Sequence, residues 1–190
     1  DQLMSSANAD ARAKLIDPSK ANCRVEPVAM AGLENSGSET IYMSAIDKDG
    51  NIVSLIQSNY SAFGSGLVAE GTGFALHNRG GLFTLEKNQP NTIAPRKRPL
   101  HTIIPAFMER GDVKIGFGIM GGWNQSQAHA QFVSNIADFG MNIQQALEAP
   151  RFSKRTFEGC DVDIETTAPV ATLDALKARG HAVGAWNGGS

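Results

Sequence analysis

Hydrophobic positions along the chain change period several times. Leu3, Ala7, Ala11 and Leu15 recur every fourth residue, with Met4 beside them, and predict a helix over residues 1–16 that Asp17-Pro18 ends. Its stripe is narrow and mostly alanine, which predicts close packing against something larger. Residues 18–39 have no period and contain Pro18, Pro27, Gly32 and Gly37. They read as a linker, long for a compact domain and therefore disordered or functional. Two strand-length apolar runs follow, Thr40–Ile46 and Ile52–Ser58, around the turn Asp47-Lys48-Asp49-Gly50-Asn51, and predict an antiparallel hairpin. A loop of Asp47–Asn51 sets Ile46 opposite Ile52, Tyr42 opposite Ile56 and Thr40 opposite Ser58. A two-residue turn at Asp49-Gly50 sets Thr40 opposite Asn59 instead.

The remaining pattern alternates short strands with helices. A glycine-rich excursion over 59–73 leads into a short strand, Phe74-Ala75-Leu76, and then His77-Asn78-Arg79-Gly80-Gly81. After a polar, proline-punctuated loop over 85–99, Leu100 to Met108 reads as a buried strand and Val113 to Ile119 as its return across Glu109–Asp112. Gly121-Gly122 precedes a helix from about Ser126 to Phe139, with Val133, Ile136, Ala137 and Gly140 on one face. Asn142 and Gln145 have capping-box spacing and open a short helix that ends at Ala149-Pro150. Cys160 to Glu165 is a strand. Pro169 begins a helix with Val170, Leu173 and Leu176 inward, stopped by Gly180, and His181 to Trp186 is a final strand.

Composition narrows the functions. The 190 residues carry a net charge of -2, with no basic footprint for nucleic acid. Arg96-Lys97-Arg98 is bracketed by Pro95 and Pro99 and reads as a loop. No apolar stretch approaches a membrane span. Cys23 and Cys160 make no metal or redox spacing; they could pair only if the fold brought them together, and two free thiols are the expectation. Asp1 opens no secretory signal, and the chain reads as starting mid-helix, as a fragment would.

Several constellations bear on chemistry. Thr40 stands where a polar segment, Asn35–Glu39, meets the hairpin. That is where a self-cleaving precursor places a new N-terminus, and also where a β-branched residue simply begins a strand. Gly116-Phe117-Gly118-Ile119-Met120-Gly121 matches the dinucleotide fingerprint, with Asp138 roughly 20 residues on. Its first two glycines fall inside a hairpin strand, whereas the fingerprint needs a parallel βαβ turn. Gly121 and Gly122 at a strand-to-helix turn fit an oxyanion hole, and equally fit close packing of strand on helix. His77, His101, His129 and His181 form no metal-binding pair, so no metal is assigned. Asp47–Gly50 resembles the start of a calcium loop but has Ser58 where the final Glu belongs.

The ordered set Thr40, Asp47-Lys48-Asp49-Gly50-Asn51, Phe63-Gly64-Ser65-Gly66, Lys97-Arg98-Pro99-Leu100, Gly121-Gly122 and Ala149-Pro150-Arg151-Phe152 resembles the γ-glutamyltranspeptidase family. The resemblance implies an α+β fold, the four-layer αββα sandwich of N-terminal-nucleophile hydrolases, present only in part. It implies a large-subunit end at 1–39 and a C-terminally incomplete small-subunit catalytic domain at 40–190. It implies that self-cleavage between Glu39 and Thr40 frees Thr40 as nucleophile, that Ser58 is the hydroxyl beside it, and that Gly121 and Gly122 supply the oxyanion hole. The implied partners are the rest of the large subunit, in a heterodimer, and a small γ-glutamyl amide such as glutathione. No cofactor is implied, and the compartment stays open between cytoplasm and periplasm.

Substrate-side positions depart from the family. Tyr60, with Asn59 beside it, stands where an Asn is usual. Arg79 replaces a Gln, Leu82 replaces the Asp that binds the α-amine, and His101-Thr102 replaces paired serines. These departures point to altered acyl specificity, with Arg79 accepting a glutaryl-like acyl group as cephalosporin acylases do. The rival from another class is a non-catalytic binding protein that keeps the fold and stays uncut.

Overall fold

A computed structural model describes residues 4–24, 39–154, 156 and 158–186. In chain order its elements are α1 (Ser6–Ala13), β1 (Glu39–Ile46), β2 (Ile52–Tyr60), β3 (Ala106–Arg110), β4 (Val113–Phe117), α2 (Asn124–Ala137), α3 (Ile143–Glu148), β5 (Phe152–Ser153), β6 (Asp161–Glu165), α4 (Val170–Ala178) and β7 (Ala182–Trp186). The fold is mixed α and β, and it divides into two units, one running from β1 to α3 and the other combining α1 with β5 to β7. Most of the expected linker, residues 25–38, lies outside the described residues.

In the first unit, β1 and β2 pair with Ile46 opposite Ile52, Tyr42 opposite Ile56 and Thr40 opposite Ser58. The Asp47 side chain selects this register. Its Oδ1 accepts from the N–H groups of Asp49 and Asn51, both at 2.9 Å, and its Oδ2 accepts from Asn51 Nδ2 at 2.8 Å. β3 and β4 form a second hairpin. Ser54 Oγ reaches it, donating to the Ala106 carbonyl at 2.9 Å. Gly116 and Gly118 face the first hairpin: a Cβ on Gly118 would lie 2.3 Å from the Tyr42 ring. The first two glycines of the dinucleotide-like motif are therefore packing glycines, placed so that an aromatic ring can seat on the strand. The opposite face of the second hairpin, with Met108, Ile115 and Phe117, packs on Phe132 and Ile136 of α2 and Ala146 of α3.

In this unit two expected strands and one helix face differ from expectation. The strand expected from Leu100 begins only at Ala106, because the Gln125 side chain takes the Thr102 carbonyl and the Ile104 N–H that a ladder would use. Phe74–Leu76 contributes one bridge, Val68 to Ala75, rather than a strand. In α2 the buried face is Gln125, Ala128, His129 and Phe132, while Val133, Ala137 and Gly140 are exposed. Periodicity missed it because two of these four residues are polar. Both are bonded, His129 through Nδ1 to the Gln125 carbonyl at 2.5 Å. The Asn142–Gln145 capping box forms reciprocally, with bonds of 3.0 and 2.9 Å.

In the second unit, β6 and β7 are parallel neighbours joined through α4, and β5 pairs antiparallel with β6. Val162, Ile164 and Ala168 form the core with Leu173, Leu176 and Val183. Val170, expected inward, is 71% exposed: at the first position of α4 it does not reach the core that Leu173 and Leu176 pack against. α1 is shorter than the predicted helix, is capped by Ser5, and buries no residue. The expected free thiols are instead a disulfide between Cys23 and Cys160. Backbone pairing brings them together: the Gly159 N–H donates to the Cys23 carbonyl at 2.8 Å, and Arg24 bridges Glu158. A sequence separation of 137 conceals that pairing. Among the described residues no helix is long and apolar enough to cross a membrane.

Candidate active site

Thr40 is half-buried near the start of β1, and its Oγ1 donates to Ser58 Oγ at 3.1 Å. Pairing shifts at this point: Glu39 is opposite Tyr60 and Thr40 opposite Ser58, so Asn59 is an extra residue. Such a bulge bends a strand and re-aims side chains. Here it leaves Tyr60 at a φ of 77°, unusual for a non-glycine residue, with the Tyr60 N–H donating to Ser58 Oγ at 2.9 Å. The loop beyond is clamped by Asn78. Its N–H donates to the Asn59 carbonyl at 3.1 Å, and its Oδ1 accepts from the Ser61 N–H at 3.2 Å.

Asn78 directly precedes Arg79, which opens a single 3-10 turn, Arg79–Leu82. Arg79 is 2% exposed. Its guanidinium lies 5.0 Å from the centre of the Tyr60 ring, and its Nη1 donates to Thr102 Oγ1. Its Nη2 is buried without a partner among the described residues. Burial pushes the Arg79 pKa down, and the Tyr60 phenol partly offsets this. A hydroxyl and a ring hold this enclosed cation, and no carboxylate pairs with it among the described residues.

Thr102 connects this cation to the glycine turn. Its carbonyl accepts from Gln125 Nε2. Gln125 is 0% exposed, its Oε1 accepts from the Ile104 N–H at 3.2 Å, and its own N–H donates to the Gly122 carbonyl at 3.2 Å. Gly121 and Gly122 have φ of 111° and 55°. A continuous set of contacts thus runs from Thr40 through Ser58, Tyr60, Arg79, Thr102 and Gln125 to Gly122. His101, expected beside Thr102 in substrate binding, is exposed and makes a 2.9 Å contact with the Pro99 carbonyl. Gln125 was not among the residues singled out from sequence. A glutamine early in a helix has the pattern of a surface residue, and nothing local marks it as buried.

A model of the gamma-glutamyltranspeptidase family matches residues 1–190. The chain belongs to that family. Among its relatives is the glutathione hydrolase-like YwrD proenzyme of Bacillus subtilis (strain 168), 43% identical over 153 residues, which are 77% of this chain and 29% of the relative. The oxamate amidohydrolase proenzyme of Klebsiella pneumoniae is 34% identical over 149 residues, 76% of this chain and 28% of the relative. The crystal structure of cephalosporin acylase from Bacillus halodurans superimposes with a TM-score of 0.81 at 43% identity, covering 98% of this chain and 32% of that one. The chain spans less than a third of the length of each of these gamma-glutamyltranspeptidase relatives. They are named as hydrolases or acylases, and the first two as proenzymes.

Proposed function

We propose that the chain is the catalytic segment of a self-processing amide hydrolase or acyltransferase of the gamma-glutamyltranspeptidase type, built on a four-layer αββα fold. Residues 1–39 belong to the large subunit and 40–190 to the small one. The observation that carries this reading is the Thr40–Ser58 hydroxyl pair at the bulge. In processing, Thr40 Oγ1 attacks the Glu39 carbonyl, the acyl group moves from nitrogen to oxygen, and water hydrolyses the ester. Thr40 is left with a free α-amine. That amine, with a pKa of ~8, takes the hydroxyl proton when Oγ1 attacks substrate. The N–H groups of Gly121 and Gly122 receive the developing oxyanion, the leaving amine takes the proton, and water or an acceptor amine releases the acyl group from Thr40.

For the substrate, the family-based reading is a γ-glutamyl amide such as glutathione. A second reading is favoured by Arg79: an acyl group with a carboxylate at its far end and no α-amine, as in glutaryl or oxalyl amides. Both readings give Arg79 a carboxylate to hold. They differ at the ammonium, for which Leu82 has no charge to offer, and leaving an ammonium unpaired costs several kcal/mol. Relatives named for oxamate and for cephalosporin are consistent with the second reading. Asn59 and Tyr60 border the acyl site.

The test uses the precursor that carries this chain. Intact mass and N-terminal sequencing are expected to find a product beginning Thr40-Ile41-Tyr42, and none from Thr40→Ala. A single uncut chain in the unsubstituted protein would move the reading to a binding protein. Given cleavage, γ-glutamyl and glutaryl anilides are compared. Strong preference for γ-glutamyl would end the altered-specificity reading.

A further inference from the structure

The Cys23–Cys160 disulfide lies across the proposed cleavage point in sequence: Cys23 precedes Thr40 and Cys160 follows it. We infer that this bond is a covalent junction between the two chains that processing produces, an inference that rests on the cleavage reading above. Cleavage then removes the peptide link between residues 39 and 40 without freeing the chains from each other.

Neighbouring contacts make this a built seam. Residues 18–24 carry backbone bonds into the C-terminal part of the chain. The Ala21 N–H donates to the Arg179 carbonyl at 2.8 Å, and Arg179 Nε donates to the Pro18 carbonyl at 2.9 Å. The Gly159 N–H donates to the Cys23 carbonyl at 2.8 Å, and Arg24 bridges Glu158 in antiparallel fashion. Ala21 is buried there. These contacts dock residues 18–24 of the upstream chain, and the disulfide makes the docking permanent. The physical gain is effective concentration. A two-chain product held by weak contacts dissociates on dilution, whereas a covalently joined one re-forms its contacts as an intramolecular event. Forming the bond removes two electrons and two protons from the two thiols. These pass to a disulfide-donating oxidant, so the junction belongs to an oxidising environment. Both cysteines are half-buried, not sealed, so a dithiol reductant can reach them.

The experiment takes the processed precursor, blocks free thiols, denatures it, and measures mass with and without dithiol. A single joined species without reductant and two chains with it are expected, and Cys23→Ser is expected to give two chains in both. Two chains from the unsubstituted protein without reductant would overturn the junction. One species in both conditions would instead mean that the precursor is uncut, which overturns the cleavage reading. In that case a site-specific protease sequence placed between residues 28 and 34 of Thr40→Ala supplies the cut. The pieces then stay joined without reductant if the bond is present and separate if it is not.

Discussion

Arg79 meets a hydroxyl and an aromatic face in a buried place, and one of its terminal nitrogens has no hydrogen-bond partner among the described residues. If that nitrogen holds the carboxylate of the acyl group, Arg79→Gln removes a charge-assisted contact worth about 2 kcal/mol or more. The expected result is a KM for glutaryl anilide raised on the order of 30-fold, with kcat little changed. An unchanged KM would remove Arg79 from substrate recognition. Sequence comparison alone marks Arg79 as a departure from the family. Its enclosure, and its contact with Tyr60 and Thr102, depend on three segments far apart in sequence. The opposite holds for Thr40 and Ser58, whose meeting follows from hairpin spacing once the loop length is chosen.

At the scale of elements, local chemistry accounts for turns and caps, as at Asp47 and at Asn142 with Gln145. It does less well for helix faces, because a buried glutamine or histidine looks like surface until its partner is known. The three-stranded sheet is held at one end by a similar pairing. Arg151 donates through Nε and Nη2 to Glu165 Oε1, its backbone N–H donates to Oε2 at 2.9 Å, and its guanidinium lies 5.2 Å from the centre of the Trp186 ring. Burial pushes the Glu165 carboxyl up, but the bonds and charge of Arg151 outweigh it, so the pKa lies below its ordinary value. A depressed folded-state pKa adds stability above the unfolded value of about 4.3 and loses it as pH falls through the folded one. Glu165→Gln is therefore expected to cost roughly 2 kcal/mol at pH 7 and progressively less below pH 4, read from urea midpoints across pH. An equal loss at both ends of that range would show that the pair contributes by shape and not by charge.

On the scale of the whole molecule, packing between hairpins gives the glycine motif its meaning. Gly118 has no Cβ because the Tyr42 ring occupies that space. Gly118→Ala is expected to lower stability by about 2 kcal/mol through overpacking, seen as a lower melting temperature. NAD is expected to leave the melting temperature of either protein unchanged, and a rise with NAD would restore the dinucleotide reading. Sequence by itself determined most of the strand and helix order, though not the short β5 or the absence of a strand at Phe74–Leu76, together with the hairpin offered to Thr40, the family, and the residues on which catalysis is proposed. These follow from side-chain period, turn chemistry and ordered motifs, all of which act over short separations. Tertiary structure alone decided that Cys23 joins Cys160, that Gln125 ties the Thr102 segment to the glycine turn, and that Arg79 is enclosed beside Tyr60. Each depends on groups brought together across long stretches of chain, where burial and hydrogen-bond partners are properties of the fold rather than of any local pattern.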